Sequence, residues 1–109
     1  MSTNIHYTDG LLFFSGDTLL SFLMDAEALR DFSDFVEDAY RQHVTDQTRE
    51  MHIRGYSFMT DKIGRNEWQI TIDHNKVRLI FTIEKNKLNM FSRLVQHRYE
   101  GKGVLQIEI

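Results

Sequence analysis

Five histidines and sixteen acidic residues are the side chains of this 109-residue chain whose chemistry could serve catalysis or metal binding. The spacing predicts neither a metal ion nor another cofactor, because no two histidines have the four-residue separation of a helical zinc motif and cysteine is absent. One carboxylate and one imidazole lie close together in Arg49-Glu50-Met51-His52, where they could share general acid–base work. A small nuclease that uses His52, Glu50 and an arginine is therefore one open alternative.

Motifs for nucleophilic catalysis and phosphate binding are missing. The chain contains no GxSxG elbow, no GxxxxGK[ST] loop and no GxGxxG turn. Gly101-Lys102-Gly103 could approach a phosphate, but the end of a helix accounts for both glycines without a ligand. His43 falls on the apolar side of a predicted helix, where we expect a core or interface residue. The sequence thus predicts no catalytic residue and favours a protein that is not an enzyme.

Four acidic side chains share one side of the longest predicted helix, within an arc of about 60° opposite its apolar stripe. Like charges at four-residue spacing cost a helix about 0.2–0.5 kcal/mol per pair, so a face that only needs solvation would mix its signs. Such a face is suited to a partner protein with a basic surface, although a merely solvated face is the alternative. We call these residues the acidic ridge: Glu27, Asp31, Asp34 and Asp38.

Charge is divided unevenly along the chain. Residues 1–50 carry ten acidic and three basic residues, a net of -7, and residues 51–109 carry six acidic and ten basic residues, a net of +4, which together give -3. This asymmetry predicts either a polarised surface or two elements that face each other.

A nucleic-acid-binding protein is the second alternative, because basic side chains release counterions when they bind phosphates. Phe91 and Tyr99, which could stack on bases, fall on the apolar side of the C-terminal helix, where burial is expected. The candidate basic residues all lie in the second half of the chain: Lys76, Arg78, Arg93, Arg98 and Lys102.

The elements that would position these residues follow from hydrophobic periodicity and turn signals. They predict one α+β domain over residues 1–109, with a mainly antiparallel sheet, one long amphipathic helix and a shorter second helix in the order ββαβββαβ. A short apolar helix is also expected to start at Asp17 or Thr18 and end at Met24. The predicted strands are 5–8, 11–14, 54–60, 65–73, 76–84 and 104–109, and the two main helices are 26–47 and 87–100.

Turns and caps add detail to this outline. Asp9-Gly10 is a two-residue hairpin turn, and a second turn at His74-Asn75 would place Ile72 opposite Val77. Asp25 and Asn86 are candidate N-caps of the two helices, and Gly101 is placed to end the second. The last strand is expected at a sheet edge, where pairing with a second copy would make a homo-oligomer.

Location follows from composition. No lysine or arginine precedes Arg30, and Ser15-Gly16-Asp17 interrupts the apolar segment 11–24, so neither a signal peptide nor a membrane span is predicted. The absence of cysteine favours a reducing compartment such as the cytoplasm. The sequence as a whole favours a small intracellular protein-binding domain of the inhibitor, immunity or adaptor type, such as phages and bacteria encode.

Overall fold

Eight strands and two helices form the part of the chain that a computed structural model describes, residues 3–16, 19–41 and 48–109. The strands make two antiparallel four-stranded sheets, sheet A in the order β3-β2-β1-β8 and sheet B in the order β4-β5-β6-β7. The elements are β1 (Asn4–Thr8), β2 (Leu11–Ser15), β3 (Leu19–Leu23), α1 (Ala26–Arg41), β4 (Arg49–Ile53), β5 (Tyr56–Lys62), β6 (Glu67–His74), β7 (Val77–Glu84), α2 (Lys85–Tyr99) and β8 (Gln106–Glu108).

The α+β class is confirmed, and all eight main elements predicted from the sequence are present in their predicted order. Two further strands, β3 and β4, and the division into two sheets were not predicted. Helix α1 begins at Ala26, where Asp25 Oδ1 accepts a hydrogen bond of 2.9 Å from the Ala28 N–H, as expected of its N-cap. The part of this helix that was predicted over residues 42–47, including the expected core or interface position of His43, lies outside the described residues.

The short apolar helix predicted to end at Met24 is wrong, because its described part is strand β3. Every residue of β3 pairs with β2, from Leu19 opposite Ser15 to Leu23 opposite Leu11. Phe22 is buried, whereas both of its neighbours in the chain are exposed, which is the two-residue alternation of a strand. An uninterrupted apolar run fits a helix or a strand equally well from sequence, and the available partner β2 decided for the strand.

The turn between β6 and β7 lies at Asn75 and Lys76, both with positive φ (49° and 65°), rather than at His74-Asn75 as predicted. The register is therefore shifted by two residues, so that Ile72 is opposite Leu79 instead of Val77. A shift of two leaves every side chain on its predicted face, which is why the apolar pattern did not distinguish the two registers.

Helix α2 begins at Lys85, earlier than predicted, and Glu84 rather than Asn86 occupies its N-cap position. Gly101, with φ of 74°, ends the helix in the left-handed conformation as predicted. Tyr99 was expected to be buried, but 42% of it is exposed because it lies in the last turn, beyond the packed part of the helix.

One hydrophobic core joins the two sheets and the two helices. Phe14 of sheet A and Phe81 of sheet B approach with ring centroids 5.5 Å apart, so the sheets meet directly. Phe32 of α1 lies 5.3 Å from Phe58 and 5.8 Å from Phe91, which links α1 to sheet B and to α2. Because this packing covers one side of each sheet, the opposite sides are the outer faces on which binding sites can form.

Candidate binding surfaces

The acidic ridge lies on the outward side of α1, as the helical spacing predicted. Glu27, Asp34 and Asp38 are exposed, whereas the Asp31 side chain retains only 15% of its exposure. The residues opposite them on the helix, including Phe32 and Val36, are buried in the core.

Arginines of sheet B neutralise most of this ridge. Arg54, in the turn between β4 and β5, donates to Glu27 Oε2 at 2.9 Å and also to Asp31 Oδ2. Arg49 of β4 lies 3.5 Å from Asp38 Oδ2. Among the described residues Asp34 is the one ridge carboxylate without an ion pair, and it is flanked by these closed pairs.

The acidic first half and the basic second half of the chain thus meet at this contact. Of the two explanations offered for the charge asymmetry, this contact fits two elements that face each other. The four acids were predicted to bind a basic partner because they would present uncompensated negative charge. Glu27, Asp31 and Asp38 instead form ion pairs with Arg54 and Arg49, which reduces the net negative charge that a basic partner would meet, and partner binding by the ridge stays a prediction. The ridge is better described as a seam between α1 and the β4–β5 hairpin.

Three of the five candidate nucleic-acid-binding residues are also engaged within the chain. Arg78 makes a two-pronged contact with Asp73, 2.8 Å from Nε to Oδ1 and 3.2 Å from Nη2 to Oδ2, and this contact raises the pKa of Arg78. The Arg98 guanidinium lies 5.1 Å from the centre of the Tyr7 ring.

Lys102 lies 3.0 Å from Glu100, and this contact lowers the pKa of the Glu100 carboxyl. Lys76 in the β6–β7 turn and Arg93 on α2 form no ion pair among the described residues. Because they belong to different elements, the five cations do not act as one set of free charges.

Strand β3 presents the most apolar exposed edge of sheet A. Its sequence Leu-Leu-Ser-Phe-Leu contains no charged residue and no proline, the residues that commonly protect an edge from pairing. Leu19 is 75% exposed and Leu23 62% exposed, and both project from the outer face with Ser21 between them. Sequence reasoning missed this edge because it assigned the segment to a helix.

Two tyrosines hold the end of this strand in place. The Tyr7 hydroxyl of β1 donates to the Met24 carbonyl at 2.6 Å, and the Tyr56 hydroxyl of β5 donates to the Leu23 carbonyl. Burial raises the pKa of both tyrosines, which keeps the hydroxyls neutral and able to donate. The C-terminal end of β3 is therefore anchored from both sheets.

The outer face of sheet B brings His52 and Glu50 together, as their sequence spacing suggested, and adds Ser57. His52 Nδ1 lies 2.8 Å from Ser57 Oγ, and His52 Nε2 lies 3.5 Å from Glu50 Oε2. Ser57 was missed because the β4–β5 turn that brings it opposite His52 was not predicted.

Within residues 3–16, 19–41 and 48–109, no group of three histidine or acidic side chains is arranged to hold a metal ion. Neither α1 nor α2 is long and apolar enough to span a membrane. No known protein-family model matches the chain, and no curated protein matches it either.

Proposed function

We propose that this chain is a protein-binding domain whose contact surface is the free edge of β3, and that a second copy of the chain is the occupant. The observation that carries the proposal is the exposure of Leu19 and Leu23 on an uncharged strand that, within the described part of the chain, has a neighbouring strand on one side only. The inhibitor, immunity or adaptor role expected from the sequence is part of the proposal. The absence of cysteine supports the cytoplasm as its location.

The peptide groups along this edge are oriented for a further strand. The Met24 N–H donates to the Gly10 carbonyl at 2.8 Å, which makes these two residues a hydrogen-bonded pair of the antiparallel ladder. Such pairs alternate along antiparallel strands, so Leu20 and Phe22 direct their peptide groups toward β2. It follows that Leu19, Ser21 and Leu23 direct theirs away from the sheet, toward the open edge.

The strand is complementary to itself. If two copies of β3 pair antiparallel about Ser21, each Leu19 lies opposite a Leu23 and each Leu20 opposite a Phe22. Ser21 then pairs with Ser21 of the second copy, and the outward peptide groups of all three positions meet their counterparts. The Leu23 carbonyl, which already accepts from Tyr56, has a second lone pair for this bond. The result is an isologous two-fold contact that joins two copies of sheet A into one sheet.

The expected affinity is low. Four leucines become partly buried, each worth at most about 2 kcal/mol, and the edge peptide groups exchange water for ladder hydrogen bonds. These gains oppose an association cost of about 4–15 kcal/mol. Because the gains and the cost are of similar size, we expect a weak dimer, with a Kd in the micromolar range or weaker.

Sedimentation velocity over a series of protein concentrations tests the proposal. Ser21→Pro removes an N–H that points to the open edge and leaves the bonds to β2 intact, so the fold should survive. We expect this variant to raise the dimer Kd at least about 10-fold, since each lost 1.4 kcal/mol is a factor of ten.

Val104→Lys is the matched control, because Val104 is 72% exposed but lies outside the strands. It should dimerise like the wild type. A wild-type chain that stays monomeric at high micromolar concentration would overturn the assignment of a second copy. Equal dimerisation of Ser21→Pro and wild type would show that copies meet on another surface.

The engaged cations argue against nucleic acid as the principal partner. Arg78, Arg98 and Lys102 would each have to leave an internal contact before binding a phosphate. The protein-binding proposal requires no such rearrangement, since the β3 edge is already open.

A further inference from the structure

The outer face of sheet B carries a row of four polar side chains that the proposed dimer contact does not use. His52, Ser57, Asp73 and Arg78 are directly opposite one another on β4, β5, β6 and β7, so they share one face of the sheet. Glu50 and Met59 form the adjoining pair on the same face. Together these six residues line a shallow concavity of about 310 Å³.

The contacts of His52 fit one tautomer of its imidazole. With the proton on Nε2, that nitrogen can donate toward Glu50 Oε2, which lies 3.5 Å away and can only accept. The lone pair of Nδ1 is then free to accept, and the Ser57 hydroxyl, 2.8 Å away, donates to it. A hydroxyl that donates to an imidazole whose other nitrogen is held by a carboxylate is the arrangement of an activated nucleophile.

The charge of the concavity selects the class of substrate. Glu50 and Asp73 contribute -2 and Arg78 contributes +1, so the site carries a net charge of -1 when His52 is neutral. A phosphodiester would bring a further negative charge and be repelled, which argues against the nuclease alternative. An uncharged ester meets no such repulsion, and Met59 offers it an apolar contact.

Arg78 supplies hydrogen-bond donors on the same face of sheet B as the serine, with Asp73 of β6 between the two residues. Asp73 holds the guanidinium through Nε and Nη2, so two of its five N–H donors are occupied. The remaining donors are available for an oxygen that becomes negatively charged.

We propose that Ser57 is a nucleophile toward uncharged carboxylic esters, with His52 as its general base and Glu50 as a positioning residue. Ser57 Oγ bonds to the carbonyl carbon while its proton moves to His52 Nδ1, and the carbonyl electron pair moves to the oxygen that Arg78 stabilises. The oxyanion collapses, the bond from carbon to the alcohol oxygen breaks, and His52 returns the proton to that alcohol. Water then repeats the sequence on the acyl-serine and releases the carboxylic acid.

A fluorophosphonate probe tests the nucleophile directly, because Ser57 Oγ would displace fluoride from phosphorus while the serine proton leaves through His52. Mass spectrometry of the digested wild-type chain should find the phosphonyl group on Ser57. Ser57→Ala should abolish the labelling, and His52→Gln should slow it about 10²–10⁴-fold.

Ser21 is the internal control, since it is an exposed strand serine with no histidine hydrogen bond among the described residues. Glu50→Gln should slow the labelling of Ser57, whereas Glu50→Asp should restore part of the rate by keeping a carboxylate next to Nε2. Labelling of Ser57 no faster than that of Ser21, or unchanged in His52→Gln, would overturn the proposal. The dimer assay on Ser57→Ala should match the wild type, so the two proposals can fail separately.

Discussion

The seam on α1 and the edge of β3 differ in how far their polar groups are paired within the folded chain. The seam is rich in charge, and its carboxylates meet Arg54 and Arg49 of the same chain. The edge has no charge at all. Among the described residues, the Tyr56 hydroxyl contacts the Leu23 carbonyl, and the other outward peptide groups of β3 pair with no further strand.

Charge density in the sequence therefore did not predict which surface groups stay unpaired in the folded chain. Charges that attract a partner also attract opposite charges of their own chain, and the intramolecular contact forms without the entropy cost of association. At the β3 edge, the described chain satisfies the Leu23 carbonyl through Tyr56 and pairs the other outward peptide groups with no further strand. The open surface is therefore the one that the folded chain left unpaired.

The largest effect on the seam is expected from Arg54→Glu. The change breaks the ion pairs with Glu27 and Asp31 and places a third carboxylate beside these two. The repulsion should be strongest at Asp31, whose side chain is less exposed than that of Glu27. Exposed ion pairs contribute about 0.2–1 kcal/mol each, and the added repulsion brings the expected loss in unfolding free energy to about 2 kcal/mol. For a domain of this size, thermal unfolding should show a Tm lower by about 10 °C.

Arg65→Glu makes the same charge change at an exposed residue with no ion pair among the described residues, and it should alter Tm little. Adding Asp31→Arg to Arg54→Glu reverses one pair and should recover part of the loss in a double-mutant cycle. Equal Tm values for Arg54→Glu and Arg65→Glu would mean that the seam does not contribute to stability.

A smaller effect is expected at the edge from Tyr56→Phe, which removes the hydroxyl that anchors the Leu23 carbonyl. The loss in unfolding free energy should be about 1 kcal/mol, as for a typical hydrogen bond. Chemical denaturation of wild type and variant measures it.

The pH dependence sharpens this prediction. Burial raises the pKa of Tyr56 above the ordinary value of about 10. The folded state therefore retains the hydroxyl proton more strongly than the unfolded state. The associated stability is complete below pH about 10 and is lost as pH rises beyond it. Tyr56→Phe should show a shallower alkaline loss than the wild type, and an identical alkaline profile would contradict the role given to burial.

The smallest effect is expected from Asp34→Asn, at the ridge carboxylate that lies between the closed pairs. Since Asp34 is exposed and makes no ion pair with the described residues, unfolding free energy should change by less than about 0.5 kcal/mol. Denaturant titration beside Asp31→Asn, which removes a paired carboxylate, gives the contrast. A loss at Asp34 as large as at Asp31 would remove the distinction between paired and unpaired ridge positions.

Local signals in the sequence were sufficient to predict a turn or a helix cap where the residue type favours few backbone conformations. Asp9 and Gly10 take the positive φ values, 52° and 76°, that their two-residue turn predicted. Asp25 caps α1, and the outward side of β8 carries Gln106 and Glu108 at a sheet edge, all as expected. The turn and the cap depend on the conformational or hydrogen-bonding preference of a residue within its own segment, and the outward side of β8 follows from the two-residue alternation of that strand.

Local signals failed where two distant segments had to be compared. The β6–β7 register was wrong by two residues because both registers bury the same side chains, and Arg78 consequently meets Asp73 rather than Thr71. The β4–β5 turn at Arg54 and Gly55 was missed, and with it the contact between His52 and Ser57.

The sequence by itself determined the α+β class, the apolar side of each main element and the presence of an acidic stripe on α1, because these follow from periodicity within a segment. Tertiary structure decided which strands became neighbours. It also decided that Arg54 forms ion pairs with Glu27 and Asp31 of the acidic ridge, and that β3 has no neighbouring strand on one side among the described residues. The physical reason is that pairing of strands and of charges depends on distances between segments far apart in the chain, and these distances exist only after the core has formed.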